Sequence, residues 1–489
     1  MRVIVGSEQR GPLVSTAAVL GSLAVLAVAV AQGEAVQKVA PVFLLVVAIA
    51  LFRSALFRWS TLLYLLLLVI LFIPIQRYKL SASLPVDLEP YRIVVGFIIA
   101  GWFLSLLVDP RVRLRKGGLE RPIGLFALAC LASEVANPGR VAGLSSEVVK
   151  TMSFMASFIL VYYFIVSVVR TKELVDTLIK ILVACGAIIA VLATIEARTG
   201  FNPFSHLSSV MPFLHADPNF GAERERLGSV RAYGPAQHPI ALGAALVMLL
   251  PLGAYLGFTT RKVGWWLATL AITIGAVSTM SRTSIVMLIV VGVVFLWLRP
   301  REAKRCWPAL ILVAVAVHFA MPGALGTVQE LFFPKGGLIQ DQRASAGSRS
   351  SAGRVADLHP AFQELSRNPL LGEGLGTRIT VGPEANAALL DDQWLKTLLE
   401  TGILGALAFL WIIARFVRRA GRIAKTDYSP RGWCLAAIVA SVTSFAFGMA
   451  LFDAFSFIQV TFFFFIVLAL GSVMLKLPSE QQAHEPATA

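Results

Sequence analysis

Long apolar runs, separated by short polar segments, make up most of the chain. About fourteen of these runs have the length typical of a helix that crosses the hydrocarbon core of a bilayer. They lie near residues 12–31, 36–52, 60–76, 91–108, 121–136, 148–169, 174–195, 239–258, 263–280, 283–299, 306–321, 394–416, 431–452 and 456–476. The pattern predicts an all-α polytopic membrane protein with about fourteen transmembrane helices.

Composition excludes a soluble globule. Hydrophobic residues make up 57% and charged residues 15% of the 489 residues, whereas soluble domains carry about 45–50% apolar and about 25% charged residues. The formal net charge of +15 comes from basic residues that are dispersed among short loops. A nucleic-acid partner is therefore not expected, because nucleic-acid-binding surfaces concentrate their basic residues.

The cysteines do not indicate a metal site. All of them lie in or beside apolar runs, at Cys130, Cys185, Cys306 and Cys434. None has a neighbour at metal-ligand or disulfide spacing. They are predicted to be small buried hydrophobic residues, and no metal or other cofactor is expected.

The distribution of basic residues predicts the orientation. Short segments and helix ends on one side of the predicted helices hold 24 Lys and Arg residues, against 7 on the other side. Basic residues concentrate in cytoplasmic loops, so both termini are predicted to be cytoplasmic. The predicted regions are residues 1–195 (helices 1–7), 196–238 (first outer loop), 239–321 (helices 8–11), 322–393 (large outer loop), 394–476 (helices 12–14) and 477–489 (cytoplasmic tail).

The amino terminus has two interpretations. Arg2 and Arg10, an apolar stretch and Ala29-Val30-Ala31 together resemble a cleavable signal peptide. The apolar run from Pro12 to Ala31 is longer than the apolar region of a signal peptide, which is about 7–15 residues. A first transmembrane helix is therefore the preferred interpretation.

The large outer loop contains an amphipathic pattern. Apolar residues recur at spacings of three and four, at Val355, Leu358, Phe362 and Leu365, which predicts a short helix. Because proline is best tolerated in the first turn, Pro360 predicts that this helix begins near Asp357 or His359. The following RNPLLGEGLGTR is rich in turn residues, and its three glycines lack the strand and spacing of a dinucleotide fingerprint.

Arginines at the outer ends of helices are the first candidates for chemistry. Arg231 precedes Gly234 and Pro235, which would turn the chain and fix the arginine relative to the next helix. Arg282 lies in a tight outer turn between two apolar helices. A guanidinium at such a position offers a rigid fork for phosphate, although it could also anchor the helix at lipid headgroups. His238 is a further candidate.

Acidic residues directly before a predicted membrane helix form a second candidate group. Asp391, Asp392 and Gln393 precede the apolar run near 394–416. They could cap the helix and complement its dipole, or Asp392 could remove a proton from a hydroxyl. Both interpretations are open at this point.

Four motifs resemble the O-antigen ligase and O-antigen polymerase family of bacterial membrane glycosyltransferases. They are RAYGPAQHPIALG, the SRT turn at Ser281 to Thr283, GRVADLHPAFQELSRNPLLGEGLG and DDQWLKTLLETGILG, which together span roughly Arg231 to Gly405. Each motif is degenerate alone, but their order, spacing and outer placement make the joint match specific. The resemblance implies a GT-C-like membrane fold with a large helical outer-face loop.

The resemblance also implies an activity and roles for residues. The substrate would be glycan on a polyprenyl diphosphate lipid, transferred without a nucleotide sugar or metal. Arg231 and Arg282 would hold the diphosphate with help from Arg354, Asp392 would be the catalytic base, and His238, Gln393 and His359 are further candidates. Membrane lipids, flippases and chain-length regulators are the implied partners, and the site would face the outside of the inner membrane.

The chain departs from the ligases of this family at one motif. Ligases usually carry a histidine motif where this chain has Asp392-Gln393, and the acidic residue is more similar to polymerases of exopolysaccharide or capsule pathways. Transfer of glycan to a lipid or protein acceptor stays open. A lipid-linked oligosaccharide flippase is the alternative from another class, although no internal repeat typical of transporters is evident. A scaffold of an envelope assembly is a third interpretation.

Overall fold

The structure is a computed structural model that describes residues 58–80, 89–109, 112–211, 213–216, 225–226, 229–305, 307–320, 354–379, 386–387 and 390–477. Its helices are α1 (Trp59–Phe72), α2 (Pro90–Val108), α3 (Glu120–Ala136), α4 (Pro138–Gly143), α5 (Ser145–Val168), α6 (Lys172–Thr199), α7 (Leu207–Val210), α8 (Pro239–Thr260), α9 (Val263–Ser278), α10 (Arg282–Leu298), α11 (Pro300–Arg305), α12 (Trp307–Ala320), α13 (Arg354–Leu365), α14 (Gln393–Thr426), α15 (Pro430–Gly448) and α16 (Ile458–Lys476). The protein is therefore mostly helical, as predicted.

The predicted apolar runs from residue 60 onward each correspond to a helix. Within the described ranges, seven helices are long and apolar enough to cross a membrane, namely α2, α5, α6, α8, α14, α15 and α16. α1, α9 and α10 are shorter apolar helices. The runs near 12–31 and 36–52, with the signal-peptide alternative, lie outside the described residues. The chain is a multi-pass membrane protein.

Two compact units divide the chain, residues 1–65 and 66–489. Of the first unit, only residues 58–65 in α1 are described. Within the second unit, α16 is apolar on all sides, and such a helix needs neighbours around it. It packs against α5, α8 and α15, and 94% of its apolar window is buried. The corresponding window of α2 is only 28% buried, as expected for a helix that faces lipid.

Short strands interrupt the helical pattern in the first outer loop. β1 (Tyr78–Leu80) pairs antiparallel with β2 (Leu214–Ala216), and β3 (Glu225–Arg226) pairs with β4 (Ser229–Val230). The first pair attaches the chain after α1 to the loop between α6 and α8. The loop therefore has a fixed connection to the helices.

The predicted start of α13 is wrong. The helix begins at Arg354, so Pro360 lies inside it rather than in its first turn. Pro360 removes one backbone hydrogen bond, yet the helix continues because its second half is held by packing. Ala361 is buried against Leu390 and Leu399, with Leu365 beside them. Tertiary contacts thus override the local preference of proline.

Polar contacts between distant segments occur at both ends of the helices. At one end, which we call the basic end, arginines donate to backbone oxygens of neighbouring segments. These bonds are Arg415 Nε to Gly118 O (2.8 Å), Arg431 Nε to Met474 O (3.1 Å) and Arg299 Nη2 to Asp427 O. The sequence pattern assigned all of these segments to the cytoplasmic side. We call the other end, where α14 begins, the cavity end.

Candidate functional site

A cavity of about 410 Å³ lies at the cavity end, between α5, α14, α16 and the loop that follows α13. Its volume is within the range of about 300–1,000 Å³ that is typical of small-molecule sites. Its apolar wall includes Phe154, Met155, Phe158, Phe455 and Ile458, and its charged wall includes Glu147, Lys150, Arg378, Lys396 and Glu400. The cavity thus combines aromatic surface with a few charged groups.

The first two turns of α14 supply one side of the cavity. Gln393, Lys396 and Glu400 are spaced by three and four residues, so the helix presents them on one face. All three line the cavity. Gln393 is committed to structure, because its side chain donates to Thr397 Oγ1 at 3.0 Å and accepts from Phe455 N at 2.7 Å. Lys396 and Glu400 are the charged groups of this face.

α14 is broken directly after Glu400. Gly402 has φ 67° and ψ −172°, a left-handed conformation that favours glycine and interrupts the helical hydrogen bonds. The loop after α13 supplies the missing partners. These bonds are Glu373 N to Leu399 O (2.9 Å), Gly374 N to Glu400 O (3.0 Å), Ile403 N to Pro369 O (2.9 Å) and Leu404 N to Leu370 O (3.3 Å). Non-helical backbone at membrane depth is tolerated where protein groups satisfy it in this way.

The same loop is anchored to α3 and α4. Its glycines Gly372, Gly374 and Gly376 all have positive φ, which fits the predicted turns. The anchoring contacts are Asn137 Nδ2 to Gly372 O (2.9 Å), Gly374 N to Ser133 Oγ (3.1 Å), Leu375 N to Glu134 Oε1 (2.7 Å) and Arg140 to Glu373 (2.7 Å). The loop that carries Arg378 is therefore held rigidly against the helix break.

The charged groups around the cavity are paired to different degrees. Lys396 Nζ contacts Asp453 Oδ2 at 2.7 Å and Ser456 Oγ at 3.3 Å, and Arg378 forms an ion pair with Glu364. Burial lowers the pKa of Arg378 below its usual value, and the Glu400 charge opposes this shift. An arginine nevertheless stays protonated. Glu400 is 2% exposed and is acted on by the charges of Lys396 and Arg378.

Asp392, the predicted catalytic base, is the N-cap of α14. Its Oδ1 accepts a hydrogen bond from Leu395 N at 3.1 Å, which satisfies one of the first amide groups of the helix. The residue is half-buried and is not one of the residues that line the cavity. The capping interpretation that the sequence left open is thus observed, and the catalytic role stays a prediction.

Arg231 contacts the turn between α9 and α10, directly before Arg282. Arg231 is 3% exposed and its Nε donates to Thr279 O at 3.3 Å. Arg282 is the first residue of α10, whose first turn contains no acidic residue. The Oγ atom of the buried Ser281, the N-cap, has no hydrogen-bond partner among the described residues. Arg231 is therefore bound to the turn that carries Ser281 and leads into Arg282, at the positive end of the α10 dipole.

Two residues that the sequence did not single out for this role hold the segment with Arg231. Arg77 donates to Gly234 O at 3.3 Å and to Ala236 O at 2.9 Å, and Glu196 accepts from Gly234 N at 2.8 Å. Gly234 has φ 50°, so the predicted turn is present. The segment is fixed from two sides, which positions Arg231.

Gln237 connects this segment to the cavity, through Gln76 and, at 3.5 Å, through Ser456 O. Gln237 Nε2 donates to Gln76 Oε1 at 2.6 Å, and Gln76 lines the cavity. His238 caps α8 through Ile240 N at 3.2 Å and stacks on Phe457. Arg354 and His359, the other predicted candidates, belong to α13, and the structure describes their backbone but not their side chains.

The sequence prediction missed Lys396, Glu400 and Arg378. The available signal was the pair of charges in KTLLE, at the start of a predicted membrane helix. Charges at membrane depth are costly and are usually retained for function. Among the described residues, no group of His, Cys, Asp and Glu is suited to hold a metal ion, and Cys130, Cys185 and Cys434 are free and buried.

One family model matches part of the chain. Residues 267–410 match the family model described as O-antigen ligase. The matched segment contains Arg282, Arg378, Asp392, Lys396 and Glu400. No curated protein matches the chain. The family resemblance predicted from the sequence motifs is therefore confirmed over residues 267–410, which include three of the four motifs.

Proposed function

We propose that the protein is a membrane glycosyltransferase that polymerises or transfers glycan repeat units carried on polyprenyl diphosphate. The reaction would take place on the outer face of the bacterial cytoplasmic membrane, for exopolysaccharide, capsule or O-antigen. The family match over residues 267–410 supports an enzyme of this general type. The acidic Asp392 in place of a histidine motif favours the polymerase over the ligase.

The observation that supports this proposal is the hydrogen bond from Arg231 to Thr279 O, in the turn that leads into Arg282 at the amino terminus of α10. Helix amino termini and guanidinium groups both stabilise phosphate oxygens. In glycosyl transfer, the diphosphate leaves with the electron pair of the broken bond. Two fixed arginines lower the energy of the transition state because its negative charge develops next to them.

The cavity would hold the acceptor end of the glycan beside this diphosphate site. Phe154, Phe158 and Phe455 offer apolar faces for sugar rings, while the polar wall provides hydrogen bonds for hydroxyl groups. The Gln237 to Gln76 bond joins the two sites. Arg354 begins α13, in the large outer loop, and would assist the diphosphate site from there.

The test is elongation of native lipid-linked repeat units by the purified protein in proteoliposomes. We expect Arg231→Ala and Arg282→Ala to lower the transfer rate by about 100-fold, as loss of one transition-state donor does in other enzymes. Arg282→Lys retains the positive charge but lacks the forked hydrogen-bonding geometry of a guanidinium group, so it should recover part of the rate. Arg301→Ala, an exposed arginine in α11, is the matched control. Polymer of wild-type amount and length in both arginine variants would contradict the proposal.

A lipid-linked oligosaccharide flippase is the second candidate, because broken helices such as α14 are typical of transporters. The same proteoliposomes distinguish the two functions. Movement of repeat units across the bilayer without elongation would establish the flippase. Elongation by the wild-type protein, lost in the arginine variants, would establish the enzyme.

A further inference from the structure

Glu400 is an acidic side chain in a membrane-embedded region that otherwise consists mainly of apolar residues. It is 2% exposed, it lines the cavity, and its Oε1 atom has no hydrogen-bond partner among the described residues. Burial of a carboxylate without full hydrogen bonding is costly, so such a group needs a reason. The loop at the helix break binds the backbone oxygen of Glu400 through Gly374 N, and its Gly376 N–H acts on the carboxylate, but neither contact satisfies Oε1.

The other carboxylates near the cavity have clear structural partners. Glu147 also lines the cavity, but its side chain is 39% exposed and paired with Lys150 at 3.3 Å. Three more carboxylates are not themselves in the cavity lining and are paired with cations: Asp453 with Lys396, Glu364 with Arg378 and Glu373 with Arg140. Among the described residues, Glu400 is thus the buried carboxylate that lines the cavity.

We infer that Glu400 removes the proton from the acceptor hydroxyl of a sugar bound in the cavity, in place of Asp392. The inference rests on the proposed glycosyl transfer. Its geometric basis is the position of Glu400 on the cavity face of α14, whereas Asp392 does not line the cavity and its Oδ1 atom caps the helix. A general base must lie within hydrogen-bond distance of the proton that it takes, and a cavity-lining oxygen satisfies this condition.

The step balances as a single displacement. The hydroxyl oxygen of the acceptor sugar forms a bond to the anomeric carbon of the donor, and its proton passes to the Glu400 carboxylate. The bond from the anomeric carbon to the phosphate oxygen breaks, and the diphosphate leaves with the electron pair toward Arg231 and Arg282. The products are a longer glycan, a free polyprenyl diphosphate and a protonated Glu400, which returns its proton to solvent.

The groups around Glu400 are suited to this role. Lys396 and Arg378 are the cations whose charges act on it, while Asp453 is the nearby like charge. Asp453 and Ser456 hold Lys396 in place, and Glu364 holds Arg378. The backbone N–H of Gly376 also acts on the carboxylate. Burial disfavours the ionised form of Glu400, and these cations counteract burial by favouring that form, which is the one that accepts a proton.

The test uses the full-length protein in proteoliposomes, with polyprenyl-diphosphate-linked repeat units extracted from the source strain that lacks it. Glu400→Gln keeps the shape and removes the base. We expect kcat to fall at least 100-fold while KM changes less than about threefold, because general-base catalysis contributes about 10²–10⁴ in rate. Glu173→Gln, the same substitution at an exposed glutamate in the first turn of α6, is the matched control.

Glu400→Asp separates a chemical role from a structural one. It retains a carboxylate that is one methylene further from the substrate, so part of the rate should return and the acid limb of the pH profile of kcat/KM should shift. Thermal unfolding of each variant shows whether the protein is folded. An unchanged acid limb in Glu400→Asp would overturn the inference.

A second result would also overturn it. If Asp392→Asn loses transfer activity while Glu400→Gln keeps at least a tenth of the wild-type kcat, Asp392 is the base. Failure of the proposed function has a different signature, because the wild-type protein itself would then neither elongate nor transfer the repeat units.

Discussion

At the basic end of α14, Arg415 donates to Gly118 O at 2.8 Å, and the nearby Arg431 and Arg299 likewise donate to backbone oxygens. At the cavity end of the same helix, Lys396 and Glu400 lie on the wall of a cavity. At the basic end, each of these arginines links two segments of the chain. At the cavity end, the buried Oε1 atom of Glu400 has no hydrogen-bond partner among the residues that the structure describes.

The difference shows how to separate structural charges from candidate chemical ones in a membrane protein. The basic end has most of the positive charge, and charge density alone would suggest a functional site there. These arginines nevertheless donate to carbonyl groups at helix ends, which is a structural role. At the cavity end, the buried Glu400 and the half-buried Lys396 face a space that a ligand can occupy. Position relative to a cavity is therefore more informative than the number of charges.

The largest effect is expected from Gly402→Ala, which tests whether the helix break makes the cavity end distinct. A Cβ atom here would fall on the Leu370 carbonyl group, and alanine disfavours φ 67°. The steric overlap and the unfavourable backbone conformation together should lower the free energy of unfolding by about 3 kcal/mol. They should also displace Glu400 and reduce transfer at least tenfold. Reversible unfolding in mixed micelles and the elongation assay measure the two effects.

Gly292→Ala in α10 is the control, since a Cβ atom there has nothing within 4 Å and a normal helical φ. It should be neutral or stabilise by up to about 1 kcal/mol. If Gly402→Ala were as stable and active as this control, the break would have no role in shaping the site.

Arg299→Ala has the second largest expected effect and tests the structural assignment of the basic end. Arg299 is fully buried, lies over Tyr428 at 4.0 Å and Trp433 at 4.9 Å, and donates to Asp427 O. Its loss should cost about 2 kcal/mol of unfolding free energy. The KM for lipid-linked donor should not change, because this end would hold no substrate.

Arg301→Ala, an exposed arginine nearby, should change the unfolding free energy by less than about 0.5 kcal/mol. A raised KM in Arg299→Ala at unchanged stability would show that the basic end contributes to substrate binding. The comparison between the two ends would then fail.

The helices were predictable from the sequence, because apolar periodicity and length are local signals. α8 begins at Pro239 and α16 ends at Lys476, as the runs near 239–258 and 456–476 indicated within two residues. The convergence of Arg231 and Arg282 was also predicted, since alternating topology places both at one end. The hydrogen bond from Arg231 to Thr279 O, in the turn before Arg282, agrees with that expectation.

The break and the cavity were not predictable. TGILG reads as ordinary apolar helix, and its interruption at Gly402 depends on Pro369 and Leu370, which lie more than thirty residues earlier. Glu400 was overlooked for the same reason, because its burial follows from the loop that packs against the break. Start positions of loop helices are equally non-local, as Pro360 shows.

The smallest effect on stability is expected from substitutions of Asp392. They test whether the Asp392 carboxylate has a structural role, in contrast to the proposed chemical role of Glu400. Asp392→Ala removes the cap of α14 and should cost about 1 kcal/mol, whereas asparagine caps nearly as well, so Asp392→Asn should leave the unfolding free energy unchanged. Unfolding of both variants in mixed micelles measures the cap without reference to chemistry. If Asp392→Asn destabilises as much as alanine, the negative charge is required beyond capping, and Asp392 has a role in the electrostatics of the site that the observed hydrogen bond does not explain.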